Sequence, residues 1–147
     1  MSVRAILDVL MPALEPNGSK RDDSRARFVV IRGEAEEAIY AQPGILYGWP
    51  RREEFVPEGD GSLDDERFFI RLAWAVDAEI EIASMERDRA TSEVLFDKVE
   101  EIAAWVRANR TSSAWEQLRI TEVDYEGLVT NSVRGCYLDL DGYVLLT

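Results

Sequence analysis

The stretch Phe68–Ile82, FFIRLAWAVDAEIEI, constrains the fold more than any other part of the chain. Every second residue gives Phe68, Ile70, Leu72, Trp74, Val76, Ala78, Ile80 and Ile82. Between them stand Phe69, Arg71, Ala73, Ala75, Asp77, Glu79 and Glu81. Side chains of a strand alternate between two faces, so the segment has one apolar face and one polar or small face. Wound as a helix, its four charged residues scatter around the wheel and leave no apolar stripe. A strand is therefore predicted, and at ~3.3 Å per residue it would run to roughly 50 Å. Such a strand must cross a whole sheet or project beyond it as a ribbon, and part of its packing is expected from a neighbouring subunit.

The other elements arrange themselves around it. Val3, Ile6, Leu7, Leu10 and Leu14 recur at helical spacing, with Ser2 able to cap the start and Pro12 expected to kink or end the helix near Leu10 or Met11. Residues 15–27 are turn-rich and charged, and read as a solvated loop. Phe28–Arg32 is a short apolar run expected to be a buried strand, whereas Glu34–Tyr40 fits no period. In Gln42–Pro50, Ile45, Leu46, Tyr47 and Trp49 lie between proline and glycine. They suit either a satellite of the core or an aromatic patch held out for a partner, and they are the candidate subunit-interface residues. Residues 51–66, RREEFVPEGDGSLDDE, read as a second loop. Their acidic glycine-containing elements lack the spacing of a calcium loop, so no metal site is expected.

Beyond the long strand, Met85–Asn109 carries Leu95, Val99, Ile102 and Val106 in steps of four, three and four, widened by Phe96, Ala103 and Trp105. This predicts a long amphipathic helix whose polar side is solvated. Trp115–Val129 changes parity between Ile120 and Val123, which predicts a bulge or break near Glu122. In Val133–Leu146, Cys136, Leu138, Leu140, Val144 and Leu146 share one face, while Asp139, Asp141 and Tyr143 share the other. The order of elements predicts a single α+β domain over residues 1–147, an antiparallel sheet with helices packed on one face.

Composition narrows the chemistry. There is no histidine, which removes the commonest general base and metal ligand, and neither a nucleophile motif nor a glycine-rich phosphate loop is present. No catalytic residue and no cofactor are expected. The single Cys136 excludes an internal disulfide and reads as an inert core thiol. With 17 basic and 29 acidic residues the net charge is −12, which opposes wrapping around nucleic acid. The absence of a long apolar run or a signal-peptide core makes a cytosolic protein, without membrane contact, the expectation.

The N-terminal helix, the loop before the long strand, the helix RATSEVLFDKVEEIAAWVRAN and the closing pair of strands together resemble tail terminator proteins of long-tailed bacteriophages. The resemblance lies in the order of elements and carries over no individual functional residue. It implies a non-enzymatic virion protein, assembled in the host cytoplasm, that forms a ring of commonly six copies. Such a ring caps the tail tube, meets the tube protein and the head–tail connector, and lets DNA pass without specific binding. Another neck or head–tail joining protein shares this build, and an acidic DNA mimic is the alternative from a different class.

Overall fold

The computed structural model describes residues 3–14, 46–56, 65–77, 85–128 and 133–145. Its elements run α1 (Val3–Leu14), β1 (Tyr47–Val56), β2 (Asp65–Asp77), α2 (Met85–Ala108), β3 (Gln117–Asp124) and β4 (Val133–Val144). The four strands form one antiparallel sheet in the order β1-β2-β4-β3. The fold is α+β. The expectations for residues 15–27, Phe28–Arg32 and Glu34–Tyr40, together with Ser2 and Ala78–Ile82, lie outside the described residues.

β2 occupies the interior of the sheet, as its alternation predicts. It pairs with β4 from Glu66↔Val144 to Asp77↔Val133, and with β1 from Asp65↔Val56 to Ala73↔Tyr47. β3 meets β4 only as far as Asp124↔Tyr137, the level at which β1 also begins. Trp74–Asp77 and Val133–Cys136 therefore continue as a two-stranded ribbon past both flanking strands. The long strand thus crosses the whole sheet, and its far end is covered: Ala75, Gly135 and Cys136 are buried there, and the Leu128 carbonyl accepts from the Gly135 amide at 2.8 Å.

One face of the sheet carries the core. Phe68, Ile70 and Leu72 of β2 face Leu138 and Leu140 of β4, and all five are buried beneath the helices. α1 contributes Val3, Ile6, Leu7, Leu10 and Leu14, the stripe read from its periodicity, and Met11 beside them. The helix runs through Pro12 to Leu14, past the point where an ending was expected. Proline removes the bond to the carbonyl four residues earlier, that of Asp8. Asp8 and Pro12 are both exposed, so water can satisfy that carbonyl. α2 buries Leu95, Ile102 and Val106, with Val99 and Trp105 half-covered. Phe96, expected to widen the stripe, is instead exposed and packs edge-on against Tyr125 at 5.4 Å.

The predicted parity change in the third strand is a bulge, with the register shifting between Ile120 and Glu122. The predicted loop over 51–66 is a correction: Arg51–Val56 continue β1 and pair with β2, and β2 already begins at Asp65. The charges that suggested a loop mark an edge strand, where exposed Arg and Glu discourage further pairing. This strand has its own register shift between Pro50 and Arg52.

Backbone approach decides one position in the core. Gly142 stands between Phe68 and Leu118 across the sheet, and a Cβ there would overlap the Phe68 ring and lie 2.6 Å from the Gln117 carbonyl oxygen. Gly142→Ala should therefore destabilise the fold by about 1–3 kcal/mol, the usual cost of overpacking. Urea denaturation should show a lower midpoint, partly restored by adding Phe68→Leu. An unchanged midpoint would mean that the ring can swing aside freely.

Candidate functional site

The face of the sheet away from the core is held by charge. Asp139 and Asp141 sit two residues apart on β4, so both project to that face. Arg71, directly opposite Asp139 on β2, meets it with two hydrogen bonds of 2.8 and 3.1 Å, and Arg51 reaches the same carboxylate at 3.3 Å. Arg119, opposite Asp141 on β3, makes the equivalent pair at 2.7 and 3.1 Å, and Arg67 adds a third bond at 2.8 Å. Burial works to raise the Asp141 pKa, but Arg119 and Arg67 outweigh it and hold the carboxyl below the usual range.

Aromatic rings complete this face. Phe69 lies under Arg52 at 4.2 Å and Arg67 at 5.3 Å, and Tyr137 lies under Arg71 at 4.7 Å. A shallow groove of about 270 Å³ runs between Arg51, Arg52, Phe69, Thr121 and Asp139. Because each of the two aspartates is met by two arginines, the arrangement braces the strands and offers no uncompensated carboxylate row.

A second cluster gathers where α1 begins. The Val3 amide donates to Glu53 Oε1 at 3.1 Å, and Glu53 shares a hydrogen bond with Glu66. Glu66 is buried, with one carboxylate oxygen lacking any hydrogen-bond donor. Burial first, and then the Glu53 hydrogen bond and charge, push the Glu66 carboxyl up to about 7. Nearby, Tyr143 donates its hydroxyl to Asp65. Among the described residues no group of acids is arranged to hold a metal ion. The Glu53–Glu66 pair can share a proton, and neither residue lines the groove beside Arg51 and Phe69. Cys136 is buried and its thiol is pushed up to about 12, chiefly by burial, which fits an inert core residue.

The third feature lies along the outer edge of β3. Among the described residues β3 pairs with β4 alone, and on its other side the Arg110 carbonyl accepts from the Leu118 amide at 2.9 Å. Between this edge and α2 opens a groove of about 480 Å³. Its walls are Val99, Ala103 and Val106 from the helix and Leu118, Ile120 and Val123 from the strand, with Arg107, Arg110 and Arg119 around it. Val99 and Ala103 of the helix stay half-covered beside this edge.

The sequence-predicted interface residues fall elsewhere. Leu46, Tyr47 and Trp49 are buried within the subunit, Trp49 against Tyr137 at 6.3 Å on the arginine-bearing face, and Ile45 lies outside the described residues. As a patch held out for a partner the segment is corrected: these three side chains are consumed by their own sheet, because Tyr47 and Trp49 stand opposite Ala73 and Arg71 in the strand pairing. No family model matches this sequence, and no curated protein matches it significantly. The surfaces just described therefore carry the functional argument. The aspartate pairs were foreshadowed by Arg71 and by Asp139 and Asp141 sharing one parity. The edge groove was not, because it depends on where β3 ends up relative to α2.

The carboxyl pair gives a pH signature. An unfolded glutamate titrates near 4.5, and Glu66 in the fold near 7, so the native state holds the proton more tightly. This contribution is fully present below 4.5 and declines as the pH rises through about 7. Glu66→Gln should remove that slope and make the protein about 1–3 kcal/mol more stable than wild type at pH 8, with little difference at pH 4. Paired urea titrations at the two pH values check it. Parallel stability curves would show that the pair is solvated and uncoupled from folding.

Proposed function

We propose that this chain is a non-enzymatic, ring-forming neck protein of the tail-terminator kind. In this reading it caps a phage tail tube, meets the tube protein on one side and the head–tail connector on the other, and takes its place in the virion. The observation that carries the reading is the pair of unlike surfaces on one small subunit. β2 and β4 pair past both flanking strands at one place, and at another an apolar groove lies beside the outer edge of β3, which no described strand covers. Two different surfaces meeting head to tail generate rings when the rotation closes. The α+β build and the order of elements fit the same resemblance.

The DNA-mimic alternative is less well supported. A mimic must present carboxylates in rows that imitate backbone phosphates, and on the sheet face Asp139 and Asp141 are each bound by two arginines. A different neck protein would share the ring and differ in its contacts.

The decisive measurement is mass in solution combined with negative-stain micrographs. Six copies of the 16.7 kDa chain would weigh about 100 kDa and appear as annuli. When added to polymerising tail tubes they should arrest growth. A monomer at every concentration, or tubes that lengthen undisturbed, would overturn the reading.

The charge makes a second expectation. Six copies carry a formal charge of about −72, and an acidic bore would repel duplex DNA and keep it from adhering in transit. The purified protein should give no shift of duplex DNA in a gel at physiological salt. Salt-sensitive binding would point to a clamp lined by basic residues instead.

A further inference from the structure

One flank of α2 repeats in strict alternation of three and four. Glu93, Phe96, Glu100, Ala103, Arg107 and Arg110 follow one another at steps of three, four, three, four and three, the spacing of a stripe that packs along a second helix. Arg110 lies just past the helix end and stays on the same flank, since it lines the groove beside β3 together with Ala103 and Arg107. This flank is bare. Phe96 is 47% exposed and Tyr125, its ring partner, 40%, while Val99, Ile120 and Val123 are only half-covered. Aliphatic and aromatic surface of this kind gains from being covered.

The charges along the flank are sorted by sign. Glu93 and Glu100 stand toward one end and Arg107 and Arg110 at the other, all four exposed, and among the described residues none of the four is in an ion pair. The order also reads backwards with the signs exchanged. Turned end for end about an axis between Glu101 and Ile102, Glu93 falls opposite Arg110, Phe96 opposite Arg107 and Glu100 opposite Ala103. A net charge of −12 opposes association of the chain with itself, but along this flank acid meets base in both directions. An occupant of uniform negative charge, such as a nucleic acid or an acidic peptide, would satisfy the arginines and oppose the glutamates.

We propose that this flank of α2 pairs with the same flank of a second copy of the chain, antiparallel and about a two-fold axis. Phe96 of each copy covers the aliphatic groove of the other and lies against its Arg107, and Glu93 of each meets the other's Arg110. The contact is isologous and closes at two copies. It stands on these residues alone; in the ring reading it is the state of the free subunit, which must open before the same groove can serve a head-to-tail contact.

Charge reversal with mixing tests it. One variant carries Arg107→Glu and Arg110→Glu, the other Glu93→Arg and Glu100→Arg. All four side chains are exposed, so the fold should hold, and circular dichroism and urea midpoints follow it. Sedimentation of the wild type at rising concentration should show the 16.7 kDa chain giving way to a pair of about 33 kDa. Each variant alone sets like charges together at both ends of the contact, and should need about tenfold or more protein to pair. An equal mixture should pair again, one copy of each, and stop at about 33 kDa. Phe96→Ser should weaken pairing by about tenfold or more, and neither reversed variant should rescue it.

The outcomes separate this contact from the ring. Wild type that stays a monomer until rings form, or reversed variants that pair as the wild type does, would overturn the inference and leave the ring reading standing. A mixture that grows past two copies where the wild type does not would overturn the two-fold arrangement. Pairs that never give way to annuli would support the inference and overturn the ring reading alone. A monomer at every concentration would overturn both.

Discussion

The register between β2 and β4 is the constraint on which the rest of the molecule depends. Both strands are interior, and both of their faces are committed. Phe68, Ile70 and Leu72 meet Gly142, Leu140 and Leu138 on the core side, while Arg71 meets Asp139 on the other. A slip of one residue would turn Arg71 toward the apolar core and present Phe68 to a neighbour with a side chain. The glycine and the ion pair thus enforce the same alignment from opposite faces. With that alignment fixed, β4 holds Asp141 opposite Arg119 and so brings β3 into place.

The charged face gains its rigidity from geometry more than from the number of ion pairs. An exposed arginine–carboxylate contact contributes little, because water competes for both partners. Asp141 is different: it is 4% exposed, and its carboxylate takes a two-pronged contact from one arginine and a further bond from another. Burying such a group without partners would cost several kcal/mol, so its loss of either arginine is felt strongly while the complete set is close to neutral. The cluster specifies which strands lie side by side. The apolar face supplies most of the driving force that keeps them together.

Much of the fold was legible because the relevant signals are periodic. The alternation over Phe68–Asp77, the helical stripe of Leu95, Ile102 and Val106, and the parity change around Glu122 each report a local geometry that the structure contains. Arg51–Val56 was hidden for a physical reason: an edge strand can be highly charged and draw its stability from backbone pairing with β2. Pro12 misled because a proline late in a helix is tolerated where the orphaned carbonyl faces water. The aromatic segment shows the limit for the candidate site. Tyr47 and Trp49 have the composition of an interface, yet which way they face is set by pairing with residues more than twenty positions away. The edge groove is less legible still, being a space left between two elements and encoded by neither.

The two register shifts lie at the same height in the sheet, one on each outer strand. β1 departs from regular pairing where it passes Ile70, and β3 where it passes Leu140, and those two residues are themselves partners. A bulge bends its strand and increases the local twist, so the pair creases the sheet along a single line running from edge to edge. A straight strand from an unfolded or foreign chain could match either border for only three to five residues before diverging. The crease therefore guards the sheet against open-ended stacking into fibres, and it does so without covering the border that a shaped partner would need.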